Sequence, residues 1–279
     1  MNLANRTAVL TGAASGIGRA IAVSLARRGC NLALADVNDA GLSETARLAQ
    51  ADSPSSPAPA SRMRITQHHL DVGDRSAVAA FPQAVLAAHP CADILINNAG
   101  VALGGTFEAV SEEDFEWLFA INFWGVVRMT RAFLPLLQKS DDARLVNISS
   151  VFGLISPPGQ TAYSASKFAV RGFSNSLRHE LVGSHVGVTV VHPGGVATSI
   201  ADNARVPKDM PPEEIARRRA TAKKGLRMPP AQAGEIIVKG IERRSPRVLV
   251  GNDAKLLAFV ERLAPKSYMK ALGRLFPKP

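Results

Sequence analysis

The chain has 279 residues, of which 46% are hydrophobic and 20% charged, and that length suits one large α/β domain better than two small ones. Its formal net charge of +10 comes from the carboxyl-terminal quarter, because residues 205–279 hold 18 Lys and Arg against 7 Asp and Glu, whereas residues 1–204 hold 15 against 16. No zinc-ligand spacing and no basic motif interleaved with aromatic residues accompanies this charge, so we predict a solvated basic face and no nucleic-acid partner.

The amino-terminal residues are typical of a cytoplasmic protein. Residues 1–6 lead directly into an apolar strand and lack the layout of a signal peptide. No apolar run approaches the roughly 20 residues that a membrane-spanning helix needs. Cys30 and Cys91 stand in unrelated contexts, so we interpret them as small buried residues of a reducing compartment and predict neither a disulfide nor a metal site.

The beginning of the chain has the pattern of a dinucleotide-binding unit. An apolar strand runs into a loop with Gly12, Gly16 and Gly18, and a helical pattern and a second strand at 31–36 follow. Glycines allow the backbone to approach a pyrophosphate, which then rests on a helix N-terminus. The spacing Gly-x-x-x-Gly-x-Gly differs from the common Gly-x-Gly-x-x-Gly fingerprint, but the same physical reason applies.

Asp36 ends the second strand, and its negative charge at this position bears on whether NAD or NADP is the expected dinucleotide. An acid at this position accepts hydrogen bonds from the adenosine ribose hydroxyls. A 2′-phosphate about 4 Å away would be repelled by up to about 4 kcal/mol at an effective dielectric constant of 20. The next residues, Val37, Asn38 and Asp39, include no arginine, so NAD is favoured over NADP. The alternative is that Asp36 only forms a turn.

Strands and helices alternate over the rest of the chain. Further strands are predicted at 64–70, 93–96, 144–150, 186–191 and 247–250. Helices are predicted at 42–49, 75–89, 111–139, 163–181, 213–222 and 231–243. This order predicts one doubly wound, Rossmann-like α/β domain over 1–252, with about seven parallel strands and helices on both faces. Residues 253–279 are predicted to form a basic amphipathic helical tail.

Two segments interrupt the alternation. Residues 51–61 hold three prolines and four serines, a composition typical of a solvated surface loop. Residues 199–228 are polar, basic and flanked by prolines, which suits a mobile flap over a substrate.

Tyr163 precedes Lys167 by four residues at the predicted start of a helix, so the phenol and the ammonium share one helix face. The cation would lower the pKa of the tyrosine from its usual value of about 10. A pKa near neutrality needs a shift of about 3 units, or roughly 4 kcal/mol, which requires a second cation in a dry cleft.

Asn122 is an unexpected polar residue, because it lies on the apolar stripe of the predicted helix 111–139.

Together these features resemble the short-chain dehydrogenase/reductase family over roughly residues 5–250. Ser150 lies 13 positions before Tyr163, as the pattern of that family requires. The matching motifs, in the order of the family, are Thr11-Gly12-Ala13-Ala14-Ser15-Gly16-Ile17-Gly18, Asp71-Val72, Asn97-Asn98-Ala99-Gly100, Asn122, Ser150, Tyr163-x-x-x-Lys167 and Pro193-Gly194-x-Val196-x-Thr198. The proline- and serine-rich loop and the tail lie outside the shared pattern.

The resemblance implies a catalytic tetrad of Asn122, Ser150, Tyr163 and Lys167. Tyr163 would be the general acid/base, and Ser150 would hydrogen-bond the substrate oxygen. Lys167 would lower the tyrosine pKa and bind the nicotinamide ribose, and the positive charge of the oxidised nicotinamide would be the second cation. Asn122 would hold a water that connects Lys167 with solvent.

Two neighbours of the tetrad are weaker candidates. Ser149 competes with Ser150, but strand alternation allows only one of them to face the cleft, and the spacing favours Ser150. His192 closes a strand, and we interpret it as structural.

The resemblance also implies the residues that contact the cofactor, which we expect to be NAD. Gly194, Val196 and Thr198 would seat the nicotinamide amide. The full expected set is Gly12, Ser15, Gly16, Ile17, Gly18, Asp36, Asp71, Val72, Asn98, Ala99, Gly100, Tyr163, Lys167, Pro193, Gly194, Val196 and Thr198.

Apolar residues predict the substrate class. The pocket walls are expected at 102–106, at 151–161 and in the flap, where the apolar residues include Val151, Phe152, Leu154, Ile155, Ala201 and Met210. We therefore expect a small hydrophobic secondary alcohol or ketone, such as a steroid, lipid-derived or xenobiotic carbonyl. Arginines 217–219 could contact an acidic substrate such as an acyl thioester carrier, but we favour the interpretation that they are surface charges of an exposed helix.

The tail has two interpretations. Apolar residues from Leu256 to Phe276 recur at near-helical spacing among lysines and arginines, a pattern that can lie on an anionic membrane. We favour the other interpretation, packing on the enzyme itself or on a neighbouring subunit, because Pro265 interrupts the pattern and the resemblance implies a homodimer or homotetramer.

Two rival functions stay open. One is a membrane-surface dehydrogenase of lipid or steroid alcohols, which differs in location and not in chemistry. The other is a non-catalytic, NAD-sensing interaction protein, which would show a damaged tetrad.

Overall fold

Parallel strands form one sheet at the centre of the molecule. The computed structural model describes residues 1–54 and 63–273. Within these ranges the strands are β1 (Thr7–Thr11), β2 (Asn31–Asp36), β3 (Ile65–His69), β4 (Ile94–Asn97), β5 (Ala143–Ile148), β6 (Val186–Pro193) and β7 (Arg247–Val250). Their order is β3-β2-β1-β4-β5-β6-β7, and all neighbours are parallel. The predicted doubly wound sheet of seven strands is confirmed.

Helices cover both faces of this sheet. They are α1 (Gly16–Ala26), α2 (Asp39–Ala51), α3 (Arg75–Leu86), α4 (Glu112–Phe119), α5 (Val126–Leu137), α6 (Thr161–Glu180), α7 (Pro212–Gly225), α8 (Pro230–Glu242), α9 (Asn252–Leu263) and α10 (Tyr268–Leu272). Side-chain caps start α2, α3 and α4, where Asn38, Asp74 and Ser111 accept backbone N–H groups. None of the described helices is both long and apolar enough to span a membrane.

The inner strands β1, β4 and β5 are buried on both faces because each face packs on helices, whereas the edge strand β3 is polar and partly exposed. In β1, Leu10 belongs to the same cluster as Ile21 and Leu25 of α1, whereas Val9 packs in the cluster that contains Phe133 of α5. Alternate residues of a strand point to opposite faces, so a strand that is covered on both sides carries few polar residues.

The order of the strands reverses at β1 and β4. From β1 the chain adds β2 and β3 on one side, and it then places β4 on the other side of β1. The loops that leave the carboxyl ends of β1 and β4 therefore diverge and leave a crevice. Residues 12–15 and 98–100 follow directly from these two ends, so both predicted glycine motifs border the crevice.

The predicted helix 111–139 is interrupted. Residues Ala120–Gly125 form a π-helical turn between α4 and α5, and such a turn widens the helix locally and changes the direction of its side chains. Asn122 lies in this turn and bonds to the backbone of Val101, outside the helix. The prediction of one continuous α-helix is therefore wrong at this point, because the polar contact overrides the regular helical repeat.

Two predicted segments lie partly outside the described residues. Of the proline- and serine-rich loop 51–61, the structure describes 51–54, and it describes the tail to residue 273.

A buried hydrogen-bonded network crosses the sheet near the crevice. Asn97 of β4 and Asn147 of β5 are register partners, and the Asn97 amide donates to Asn147 Oδ1 at 2.9 Å. The Asn97 amide also donates to the Thr130 hydroxyl of α5, and the Asn147 amide donates to the Ser174 hydroxyl of α6. The four side chains are at most 3% exposed, so the network joins two helices to the sheet away from water.

Asn147→Ala should lower the free energy of unfolding by about 2–4 kcal/mol, because the Asn97 amide and the Ser174 hydroxyl each lose a partner in apolar surroundings. Urea denaturation followed by far-UV circular dichroism measures this change. Asn203→Ala removes an exposed asparagine and should change the same free energy by less than about 0.5 kcal/mol. Equal effects of the two substitutions would contradict the role of the network.

Candidate active site

The loop after β1 depends on glycine at two positions. Gly12 has a φ of +64°, which residues with a side chain avoid. A Cβ at Gly18 would lie 2.0 Å from the Gly12 carbonyl oxygen, so only glycine lets α1 approach the loop. Ser15 precedes α1 in an extended conformation, and its side chain does not cap the helix. The first N–H groups of α1, at Gly16 and Ile17, have no partner within the helix and form an N-terminus that attracts anions.

The loop after β4 is bonded directly to the loop after β1. The Thr11 hydroxyl accepts hydrogen bonds from the backbone N–H groups of Asn98 and Ala99, each at 3.1 Å. The Asn98 side-chain amide donates to the carbonyl oxygens of Thr11 and Gly12 at 3.1 and 2.9 Å. These bonds hold the two walls of the crevice together at its floor.

Asp36 lies at the end of β2 with its carboxylate bonded to the glycine loop. Its Oδ2 accepts from the Ala14 N–H and its Oδ1 from the Asn38 N–H, each at 3.0 Å. The residue is partly exposed, and each carboxylate oxygen keeps a further lone pair for a ligand hydroxyl. At the carboxyl end of the neighbouring β3, Asp71 is exposed and Val72 is buried.

Asn122 is fully buried and positions the residues that follow β4. Its Oδ1 accepts from the Val101 N–H at 2.8 Å, and its amide donates to the Val101 carbonyl oxygen at 3.0 Å. The amide also donates to the Ser166 hydroxyl of α6 at 3.3 Å. Gly100 lies beside both the Asn122 amide and the Lys167 ammonium. The water that Asn122 is expected to hold stays a prediction.

Tyr163, Lys167 and Ser150 meet beside this crevice. Tyr163 and Lys167 lie one turn apart on α6, and Lys167 Nζ is 5.6 Å from the centroid of the tyrosine ring. The Ser150 hydroxyl hydrogen-bonds the phenol. The ammonium donates to the Ile148 carbonyl oxygen at 3.2 Å, which uses one of its three hydrogens.

Burial governs the titration of Tyr163 and Lys167. It raises the pKa of Tyr163 above its ordinary value, and the hydrogen bond with Ser150 offsets part of that rise. Burial also lowers the pKa of Lys167 to about 8, because a charged ammonium is disfavoured away from water. Desolvation is the larger influence on the phenol in this arrangement, and the expectation that Lys167 and the charge of a nicotinamide together lower the tyrosine pKa stays a prediction.

The structure separates Ser150 from its neighbour Ser149. The Ser149 hydroxyl donates to the Lys167 carbonyl oxygen at 2.8 Å and is buried, so it supports α6. His192 donates from Nδ1 to the Ser150 carbonyl oxygen at 2.9 Å. Burial lowers the pKa of His192 to about 4, so it is neutral near pH 7 and holds Ser150 in place, which agrees with a structural part for this histidine.

The loop after β6 closes the side of the crevice next to the glycine loop, because Thr198 contacts Gly16. Residues at the end of the flap hold this loop: the Met228 N–H donates to the Gly195 carbonyl oxygen at 2.9 Å. The predicted cofactor residues in this part of the chain are Pro193, Gly194, Val196 and Thr198.

Apolar residues surround the phenol. The Phe152 ring meets the Tyr163 ring edge-on, with centroids 6.2 Å apart. On another side, Tyr163 packs against the cluster of Leu103, Leu118 and Ala162. Two predicted wall residues, Val151 and Ile155, are instead buried against the tail, in a cluster with Ala254, Leu257 and Leu272. The tail therefore supports the wall from behind.

These loops fit a dinucleotide that carries a nicotinamide. A glycine-lined helix N-terminus suits a pyrophosphate, and the carboxylate of Asp36 at the next strand end suits a ribose. The ammonium of Lys167 keeps hydrogens available for a second ribose. Comparison with known proteins agrees with this fit: the sequence pattern described as short chain dehydrogenase matches residues 6–209.

The chain belongs to the short-chain dehydrogenase family. The oxidoreductase SadH of Mycobacterium tuberculosis is 42% identical over 282 residues, which cover 98% of this chain and 97% of SadH. A short-chain dehydrogenase/reductase from Burkholderia phymatum, solved in complex with NAD, superposes with a TM-score of 0.85 at 28% identity. The match covers 95% of this chain and 96% of that one. An alcohol dehydrogenase from the archaeon Thermococcus sibiricus, complexed with 5-hydroxy-NADP, has a TM-score of 0.71 at 27% identity, with coverage of 88% of this chain and 94% of that one.

In this short-chain dehydrogenase a carboxylate holds the loop after β6, which carries predicted cofactor residues. The sequence did not single out this carboxylate. Asp253, in the first turn of α9, accepts a hydrogen bond from the Gly195 N–H at 2.6 Å. Its carboxylate also packs against Gly194. The sequence places Asp253 three positions after Val250, the end of a predicted strand, and the structure makes Val250 the register partner of Pro193. An acid just beyond one strand end can reach the loop that leaves the neighbouring strand.

The predicted flap of this short-chain dehydrogenase reaches the glycine loop. Its helix α7, which is described in full, buries none of its residues. Lys223 of α7 forms an ion pair with Asp202 at 2.7 Å, and both residues line a cavity of about 470 Å³ together with Gly16 and Thr198. At its other side, Arg205 pairs with Asp114 of α4 at 2.8 Å. The flap thus spans from α4 to the expected pyrophosphate end of the crevice.

Asp253→Ala should weaken the binding of NADH roughly tenfold or more, because a hydrogen bond to a charged acceptor contributes about 1.5–3 kcal/mol and this one holds Gly195 in the cofactor loop. Titration of the fluorescence of bound NADH measures the dissociation constant. Asp253→Asn keeps an oxygen acceptor and should recover most of the affinity. Unchanged binding by the alanine variant would show that Asp253 has no part in shaping the loop.

Proposed function

We propose that the chain transfers hydride between NAD(H) and a hydrophobic secondary alcohol or ketone, with Tyr163 as general acid/base. The observation that carries the proposal is the meeting of Tyr163, Ser150 and Lys167 beside a dinucleotide cradle. Tyr163 as a residue keeps part of its surface accessible, so a substrate that enters the crevice can approach it and share one oxygen between Tyr163 and the Ser150 hydroxyl. A nicotinamide bound in the cradle supplies the hydride chemistry, which amino-acid side chains do not provide.

Each side chain has a stated task in this proposal. Tyr163 exchanges a proton with the substrate oxygen, and Ser150 donates a hydrogen bond that stabilises charge on that oxygen. Lys167 binds ribose hydroxyls through its remaining hydrogens, and with a pKa of about 8 it is still mostly protonated at pH 7. Asn122 keeps the residues after β4 in place through Val101.

The environment of the phenol favours carbonyl reduction at neutral pH. Burial raises the pKa of Tyr163, so the phenol stays protonated. A protonated phenol can donate to the oxygen of a ketone that is being reduced, whereas oxidation of an alcohol needs the phenolate as base.

Apolar contacts around Tyr163 support a hydrophobic substrate. Phe152 lies on one side of the ring and the cluster of Leu103, Leu118 and Ala162 on another. Arg205 of the flap pairs along the backbone with Leu103 of that cluster, and its side chain is paired with Asp114 and lies over the Trp117 ring, 3.5 Å from its centroid. A charged substrate would therefore find no free partner in Arg205, whereas an apolar carbonyl compound would lose water on entering.

Tyr163→Phe should lower kcat by about 10²–10⁴-fold without changing NADH affinity, because only the proton-transfer group is removed. The substrate for this comparison is found by screening a panel of secondary alcohols and ketones. Turnover is measured by the absorbance of the reduced cofactor.

The matched control is Tyr268→Phe at the only other tyrosine, whose hydroxyl accepts from the Ser156 N–H at 3.0 Å. Its turnover should stay within a few-fold of the unchanged protein, since a neutral hydrogen bond contributes about 1 kcal/mol. Equal losses in both variants would contradict the task of Tyr163. Tight NADH binding with no turnover across the panel would favour the non-catalytic, NAD-sensing alternative.

Asp36 supports NAD over NADP within the proposal. Its carboxylate is held on the glycine loop by two backbone N–H groups, so it cannot swing away from a 2′-phosphate without breaking them. The repulsion of about 4 kcal/mol at 4 Å corresponds to a discrimination of up to about 10³-fold.

Asp36→Asn should therefore reduce the preference for NADH over NADPH by about tenfold or more, measured as the ratio of kcat/KM values. Asp39→Asn is the matched control, because Asp39 is exposed and pairs with His69 at 3.0 Å, and it should leave the ratio unchanged. A preference of the unchanged protein for NADPH would refute the use made of Asp36.

A further inference from the structure

The inner face of α9 is anchored on the domain. Ala254 and Leu257 are buried and pack with Val151 and Ile155. The following helix, α10, adds Leu272 to the same cluster. The orientation of α9 on the molecular surface is therefore set by packing, and its other face is turned to solvent.

The outer face of α9 exposes three large apolar side chains. Leu256, Phe259 and Leu263 are 56%, 59% and 68% exposed. Their spacing of three and four residues places them in one stripe, because 3.6 residues complete a helical turn. Burying these side chains against the domain is excluded by the same packing that buries Ala254 and Leu257, so the stripe needs a different apolar surface.

Cations without ion-pair partners border this stripe. Lys255 and Arg262 flank it on α9, Lys266 and Lys270 follow, and all four are exposed. Within the described ranges none of these four forms an ion pair, whereas cations elsewhere do, among them Arg6, Arg27, Arg28, Arg47, Arg205, Arg218, Lys223, Lys239 and Arg244.

The acids of this segment point away from the stripe. Asp253 is bonded to the Gly195 N–H. Glu261 is partly buried and interacts with Arg247 of β7. At 100° per residue, Glu261 lies on the same side of α9 as Ala254 and Leu257. Apart from Asn252 at its first position, the solvent face of α9 around the stripe therefore combines apolar and positively charged side chains.

We propose that this face, Leu256, Phe259 and Leu263 with Lys255, Arg262, Lys266 and Lys270, docks on an anionic lipid surface. Apolar side chains enter the boundary between headgroups and acyl chains, and the lysines and arginine contact the lipid phosphates. Charge decides against a second copy of the chain as the occupant. A two-fold contact places the same patch on both partners, and it would bring cations against cations.

Docking would place the substrate pocket next to the lipid. The inner face of α9 packs on Val151 and Ile155, and Phe152 between them in the chain meets the Tyr163 ring. An apolar substrate dissolved in the lipid would then reach the pocket without crossing bulk water. This consequence rests on the proposed function, whereas the docking itself does not.

Sedimentation with vesicles tests the docking on the full-length protein. Vesicles of phosphatidylglycerol and phosphatidylcholine in equal parts should carry the protein down at least tenfold more strongly than phosphatidylcholine alone. Arg262→Gln with Lys266→Gln should weaken that binding about 30-fold, since each basic residue contributes on the order of fivefold at an anionic surface. Phe259→Ser with Leu263→Ser should weaken it as well.

Matched controls use the same substitutions elsewhere. Lys139→Gln changes an exposed lysine after α5, and Val182→Ser changes an apolar side chain that is 78% exposed; both should bind vesicles like the unchanged protein. All variants should keep the far-UV circular dichroism and the NADH affinity of the unchanged protein, so loss of docking can be told from loss of the cofactor site.

Three outcomes would overturn the proposal. The first is equal sedimentation with anionic and neutral vesicles, and the second is an equal effect of the control substitutions. In the third, the unchanged protein does not bind vesicles, and the double substitution Phe259→Ser with Leu263→Ser lowers the molecular mass of the protein in solution, as measured by analytical ultracentrifugation. That result would assign the face to contacts between copies of the chain.

Discussion

The close approach of α1 to the loop after β1 is the constraint on which the rest of the site depends. The backbone of Gly18 lies so near the Gly12 carbonyl that no side chain fits between them. This contact aims the N-terminus of α1 at the crevice, and the bonds of Thr11 with Asn98 and Ala99 join the opposite wall to the same loop. The two loops that form the expected cofactor site are therefore held together by this one arrangement of backbone.

Removal from water shifts the titration of three side chains at the candidate site. Burial raises the pKa of Tyr163 and lowers the pKa of both Lys167 and His192. Each shift favours the neutral form, because a charge loses its hydration in the interior. The polar groups that hold these residues are backbone carbonyls, at Ile148 for Lys167 and at Ser150 for His192. Position and protonation are thus controlled by the same dry surroundings.

The carboxyl-terminal helices connect three parts of the molecule. Asp253 holds the loop after β6, Leu257 supports the wall beside Tyr163 and Phe259 faces solvent. The two interpretations of the tail are therefore compatible, because they concern opposite faces of α9. Periodicity identifies an amphipathic helix, but a helix that is apolar on two sides reads as one broad stripe, and only the packing shows which side is covered.

The local pattern of the sequence determined the order of strands and helices, the glycine loop and the pairing of Tyr163 with Lys167, because these depend on residues near one another in the chain. Ser150 could be preferred to Ser149 by spacing alone, and the structure gives the reason in the bond between Ser149 and the Lys167 carbonyl. The tertiary structure alone decided the π-helical turn at Asn122, the burial of Val151 and Ile155 behind the wall, and the reach of Asp253 to Gly195. Each of these joins residues far apart in the chain, and their energies come from contacts and loss of water that no local pattern contains.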